Sequence, residues 1–106
     1  MMFRKARNTD ASMSSLQGFL DVSYDQLVSA FGEPHHDGDG YKVDAEWVLK
    51  FEDGTIATIY NYKTGKNYNG DDGEEVKDIR DWHVGGFNKN AAILVAEALG
   101  IVAASY

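Results

Sequence analysis

The chain has 106 residues, 43% of them apolar and 25% charged, with no cysteine; that is the size of one globular domain. The apolar fraction excludes a disordered chain, and without cysteine there is no disulfide framework, thiolate zinc site or cysteine nucleophile. Ten bases against seventeen acids give a charge of −7, and because Arg4, Lys5 and Arg7 stand in the first eight residues, positions 9–106 carry −10, which disfavours binding to a phosphate backbone.

In chain order, residues 1–14 show no sustained periodicity and are expected to be a flexible extension of a single domain spanning 15–106. Leu16, Phe19, Leu20 and Val22 predict a short strand, with Gly18 as a bulge. Ser23-Tyr24-Asp25-Gln26 reads as a capping box, so a helix starts there. Its apolar side is Leu27, Val28, Ala30 and Phe31; Gly32 fits the left-handed position after it, and Pro34 ends it. His35–Gly40 is a polar loop.

Asp53-Gly54 signals a two-residue hairpin turn. That turn sets Phe51 opposite Ile56, Leu49 opposite Thr58, Trp47 opposite Tyr60 and Ala45 opposite Tyr62. Alternation then puts Trp47, Leu49, Phe51, Ile56 and Tyr60 in the core. Residues 63–80 form a long loop rich in Gly, Asn, Asp and Lys, and loops of that length are often functional. Asp81–Val84 predicts a strand stopped by Gly85-Gly86. A helix follows, capped by Asn88 and running from Lys89 to Leu99, with Gly100 near its end. Its nearly continuous apolar perimeter calls for cover on more than one side, by a second subunit or by the tail, so a homodimer is expected. The fold class is α+β: two layers, a small antiparallel sheet of three to four strands around the Asp-Gly hairpin, against two helices.

No arrangement of residues points to catalysis. His35, His36 and Asp39 have the ligand types of a metal site, but adjacent histidines in a loop diverge and no spacing fixes two on one face, so no metal and no cofactor is assigned. Asp37-Gly38-Asp39-Gly40 lacks the glutamate that a calcium loop needs at its twelfth position, which here is Val48. Asp81 beside His83 has acid–base character without a nucleophile to serve. The chain is expected not to be an enzyme, with a metal-dependent enzyme as the weakest of the alternatives.

Two groups of residues remain as candidate binding sites. The segment 71–81 holds six acids and two bases, and tyrosines adjoin it. Asp71, Asp72, Glu74, Glu75 and Asp78, with Tyr62 and Tyr68, suit docking on a basic surface, where carboxylates pair with guanidinium and tyrosine rings stack on it. The second group is His35, His36, Asp39 and Tyr41 with Trp82 and His83, loops that could hold a small molecule or nucleotide.

Three stretches carry a resemblance. They are Leu16-Gln17-Gly18 leading through Ser23-Tyr24-Asp25 to Phe31-Gly32-Glu33-Pro34; Gly38-Asp39-Gly40-Tyr41-Lys42-Val43 through Trp47 and Phe51-Glu52-Asp53-Gly54-Thr55 to Ile59-Tyr60-Asn61-Tyr62-Lys63; and Asp81-Trp82-His83-Val84-Gly85-Gly86. Over about residues 15–96 the chain resembles small accessory proteins encoded by tailed bacteriophages. The resemblance brings no catalytic residues. It implies a viral protein acting in the host bacterial cytoplasm, an anti-CRISPR-like inhibitor that binds a host defence protein by contact. The expected partner is a basic surface, such as the nucleic-acid-binding groove of another protein, with no direct nucleic-acid or membrane binding.

Overall fold

Alternating apolar stretches become strands and the two capped apolar stretches become helices in a computed structural model that describes residues 2–36, 42–101 and 104–105. The strands are β1 (Phe3–Lys5), β2 (Ser15–Asp21), β3 (Glu46–Phe51), β4 (Ile56–Tyr60), β5 (Asp81–Gly86) and β6 (Ala104–Ser105). They form one antiparallel sheet in the order β1-β3-β4-β5-β2-β6. The helices are α1 (Tyr24–Phe31), the single turn α2 (Lys66–Asn69) and α3 (Asn90–Leu99). The α+β class is as expected; the sheet is wider, because β1 and β6 are too short to show an alternating pattern.

The capping box forms as read: Gln26 N–H donates to Ser23 Oγ (3.1 Å), and Ser23 N–H donates to the Gln26 side chain (2.9 Å). Gly32 has a positive φ of +81°, but its ψ of −173° is extended rather than left-handed helical. The bulge in β2 falls between Leu16 and Gly18. α3 begins at Asn90 rather than Lys89, and Asn88 Oδ1 accepts the Asn90 N–H (2.9 Å), so the cap serves as expected.

Both longer helices lie on one face of the sheet. That face carries Leu20, Trp47, Leu49, Phe51, Ile59, Trp82 and Val84, all buried against Leu27 and Phe31 of α1 and Leu94 and Val95 of α3. The Trp47 and Trp82 rings meet edge to face at 5.5 Å. Each indole N–H finds a carbonyl, Gly32 O at 2.8 Å and Ile79 O at 3.1 Å, so both rings are buried without an unpaired donor. Ala91, Ala92, Leu94, Val95 and Ala96 of α3 are buried within the chain itself, so its sheet and α1 cover most of the perimeter that had suggested a second subunit. Ile93 stays exposed.

The segment expected to be a flexible extension belongs to the fold. β1 pairs with β3, setting Phe3 opposite Phe51, and the Phe3 ring meets Phe31 at 5.2 Å. Ala6 and Ala11, the latter in a 3₁₀ turn over Asn8–Ala11, bury Val48 and Ile56 on the helix-free face. Three residues of strand and two alanines carry too little apolar pattern to be legible in the sequence.

The hairpin register is also corrected. Phe51 N–H donates to Thr55 O (2.8 Å) and Gly54 N–H to Phe51 O (2.9 Å), so three residues, Glu52-Asp53-Gly54, form the loop. The extra residue is accommodated by Gly54 at φ +92° and by Asp53, whose carboxylate accepts the Thr55 N–H (2.9 Å). The pairs are Lys50–Ile56, Leu49–Ala57, Val48–Thr58, Trp47–Ile59 and Glu46–Tyr60. A one-residue slip exchanges the faces of one strand. Trp47, Leu49 and Phe51 keep their place in the core, but Ile56 and Tyr60 turn to the helix-free face, and Ala57 and Ile59 replace them.

Gly85 and Gly86 do not stop β5; they continue it, pairing with Leu16 and Ser15 on one side and Thr58 and Ala57 on the other. A Cβ on Gly86 would lie 2.4 Å from Ala91 Cβ, and one on Gly85 would lie 2.5 Å from Thr58 Oγ1. The two glycines let α3 close on one face and side chains close over the other.

Candidate functional site

On the face away from the helices, cross-strand pairing aligns Phe19 of β2, His83 of β5, Tyr60 of β4 and Glu46 of β3, and a bridge adds His36 beyond Glu46. His83 sits at the centre of an aromatic group. Phe19 meets it edge-on at 5.1 Å, Tyr60 lies at 5.6 Å, and Tyr62 stacks on it at 5.7 Å with 26° between planes. Burial pushes the His83 imidazole below its ordinary pKa, with nearby Asp81 opposing the shift. Burial, with Glu46 and Tyr62 adding to it, pushes the Tyr60 phenol up. At neutral pH both His83 and Tyr60 are uncharged.

The chain leaving β4 is held by a buried polar network. Asn61 is fully buried. Its Oδ1 accepts the N–H groups of Asp44 (2.7 Å) and Ala45 (3.2 Å), and its Nδ2 donates to Asp44 Oδ1 (2.9 Å) and Thr64 Oγ1 (3.2 Å). The other Asp44 oxygen accepts the Asn67 N–H (3.1 Å), and Asn67 Nδ2 donates to Val43 O (3.2 Å). A Cβ on Gly65 would fall 2.1 Å from Asp44 Oδ1, and one on Gly73 would fall 2.3 Å from Gly65 O. Gly65 is therefore required by the close approach of the loop to the Asp44 carboxylate, and Gly73 by the approach of the loop to its own backbone at Gly65. Residues 61–75 form a built platform.

Asp71, Asp72, Glu74 and Glu75 lie on that platform with Tyr62 and Tyr68, whereas Asp78 follows in a 3₁₀ turn, Val76–Asp78, that packs against α1. Tyr62 is 40% and Tyr68 37% exposed, enough to leave ring area for a partner. Asp71, Asp72, Glu74, Glu75 and Asp78 are all exposed. Glu75 is engaged by Lys66 at 3.0 Å, and Arg80 pairs with Asp21 at 3.1 Å. Among the described residues, Asp71, Asp72, Glu74 and Asp78 enter no ion pair. Lys63 places its ammonium 5.3 Å from the Tyr62 ring centre and 5.2 Å from that of Tyr68. Nothing local in the sequence marks this lysine as part of a site.

The described members of the second group, His35, His36, Trp82 and His83, do not assemble. Trp82 is fully buried in the helix-facing core, so it is not available to a ligand. Its neighbour His83 points to the opposite face, as the alternation of a strand requires. His35 and His36 sit at the margin of β3, with ring centres 4.4 Å apart. His35 Nε2 lies 3.1 Å from Val48 N and 3.2 Å from Ala6 O, so it accepts the Val48 N–H in one tautomer and donates to the Ala6 carbonyl in the other, tying the margin of β3 to the chain after β1. Burial, helped by His36 and Lys5, lowers the His35 pKa. Asp39 and Tyr41 lie outside the described residues. Among the described residues no three His, Asp or Glu side chains are grouped to hold a metal ion. No described helix is long and apolar enough to cross a membrane. No protein-family model matches the chain, and no curated protein matches it.

Proposed function

We propose that this protein is an acidic binding protein that acts by contact, docking its tyrosine-and-carboxylate platform on a basic surface of a host protein and inhibiting it. The observation that carries the reading is the combination of three exposed carboxylates, Asp71, Asp72 and Glu74, which enter no ion pair among the described residues, with two exposed tyrosines on a loop fixed by Asn61 and Asp44. A fixed loop loses little conformational freedom on binding, so its charges and rings are available to a partner at low entropic cost. Carboxylates steer an approaching basic surface, and tyrosine is among the residues that most often anchor an interface. The resemblance to phage accessory proteins supplies the setting, a defence protein whose nucleic-acid-binding groove is blocked in an anti-CRISPR-like manner.

Pull-down from a bacterial lysate with two baits tests the reading. One bait is the wild-type chain and the other carries Asp71→Asn, Asp72→Asn, Glu74→Gln and Asp78→Asn. A basic protein retained by the first and lost by the second is the expected result. Equal retention by both baits would remove the platform from the interface.

A further inference from the structure

We propose that Tyr62 and Tyr68 form a clamp for a cationic side chain of the partner, a guanidinium in particular, and that Lys63 occupies the clamp in the free protein. The inference rests on the reading that this face docks on a basic surface, and it names the chemistry by which that surface is read. Both ring centres lie within the roughly 6 Å over which a cation is attracted to an aromatic face. The two walls are fixed independently of the lysine. Tyr62 is stacked on His83, and Tyr68 belongs to α2, which is tied down by Asn67 to Val43 O (3.2 Å) and by Asn69 Nδ2 to Lys63 O (2.8 Å).

Lys63 itself sits at φ +61°, a conformation that glycine adopts freely and L side chains rarely do. The bonds that hold this turn use only the backbone of Lys63: its N–H donates to Lys42 O (2.8 Å), and its carbonyl accepts from Asn69 Nδ2 (2.8 Å). Glycine would make both. The lysine therefore contributes not the turn but an ammonium between two rings, and it is exposed and without an ion pair among the described residues. A guanidinium is planar, stacks on aromatic faces and is more weakly hydrated than an ammonium, so it suits the same space better. The unpaired carboxylates of Asp71 and Asp72 follow α2 directly in the chain and favour an incoming cation.

The test uses the full chain and N-acetyl-arginine amide as probe, titrated at low salt while the ring signals of Tyr62 and Tyr68 are followed by NMR. Its neutral isostere, N-acetyl-citrulline amide, is the control. Lys63→Gly is expected to bind the probe about two- to fivefold more tightly, because the competing ammonium is gone. Lys63→Asn, a residue that tolerates positive φ, is expected to do the same and guards against loosening of the loop by glycine. The double variant Tyr62→Leu with Tyr68→Leu, followed instead by the backbone amide signals of residues 62–69 in parallel with wild type, is expected to lose the response. Unchanged affinity in both Lys63 variants, or equal response to the neutral isostere, would overturn the clamp. If either is seen while the acid-neutralised bait still loses its partner, the clamp falls and the docking reading stands.

Discussion

Replacing Asn61 by Asp tests the network that builds the platform, because the change preserves size and alters one donor. In the native chain Asn61 Nδ2 donates to Asp44 Oδ1 at 2.9 Å, and Asn61 has no exposed surface. Asn61→Asp sets two carboxyl groups against each other in a site without solvent. The introduced group escapes the repulsion by keeping its proton; its single O–H then restores the bond to Asp44 Oδ1, and the Thr64 hydroxyl, which had accepted from Asn61 Nδ2, can turn to donate to the new oxygen. Holding a carboxyl of ordinary pKa about 3.9 protonated at pH 7 costs about 4 kcal/mol, at roughly 1.36 kcal/mol per pH unit. That figure is the ceiling of the penalty at pH 7, a large part of the roughly 5–15 kcal/mol that stabilises a small domain.

The sign follows from linkage. The introduced carboxyl has its folded pKa raised above its unfolded value, so the folded state binds more protons and stability falls as pH rises above about 4. Urea unfolding at pH 4 and pH 7 reads this directly. The variant is expected to be close to wild type at pH 4 and several kcal/mol weaker at pH 7. An equal deficit at both pH values, or none at either, would refute the network's role.

Three further outcomes are expected. Trp47→Ala should cost about 3–5 kcal/mol, seen as a lower urea midpoint, because it empties a fully buried site and frees Gly32 O from its indole donor. Gly86→Ala should cost about 1–3 kcal/mol in the same assay, because its Cβ would meet Ala91 Cβ at 2.4 Å. His35 has its folded pKa lowered by burial, so its contribution is present above the ordinary histidine pKa near 6.5 and is lost as pH falls through the lower folded value. His35→Gln, which keeps an acceptor available to Val48 N–H, should flatten the decline in urea midpoint between pH 7 and pH 5.

Elements with strong local chemistry were legible in the sequence. The Ser23 capping box and the helix after Asn88 each rest on residues within a few positions of one another, and the box appears as expected with the helix one residue late; the bulge in β2 falls on Gln17, while Gly18 itself pairs with Val84. The hairpin was misjudged by one residue because Asp-Gly serves both two-residue turns and three-residue loops ending in glycine. The choice between them came from Thr55, through its bonds to Phe51 and Asp53. β1 and β6 escaped because strands of three and two residues exist only through their partners. The acids and tyrosines of the platform were visible as composition. What fixes them was not: Asn61 and Asp44 lie 17 positions apart, and nothing local marks Asn61 as buried. The division of Trp82 from His83 was implicit in strand alternation, and applying it would have removed Trp82 from the ligand group.

The central claim is that the carboxylates of the platform steer this protein onto a basic partner. Association and dissociation rates with the captured partner, for the wild-type chain and the variant neutralised at Asp71, Asp72, Glu74 and Asp78, test it most directly when measured across a salt series. Charges at the rim of an interface act mainly on encounter. The neutralised variant is therefore expected to associate more slowly with little change in dissociation. Wild-type association should fall steeply as the Debye length shrinks from about 10 Å at 0.1 M to about 3 Å at 1 M salt, and the variant's should fall much less. Equal association rates and equal salt slopes for the two proteins would contradict the account.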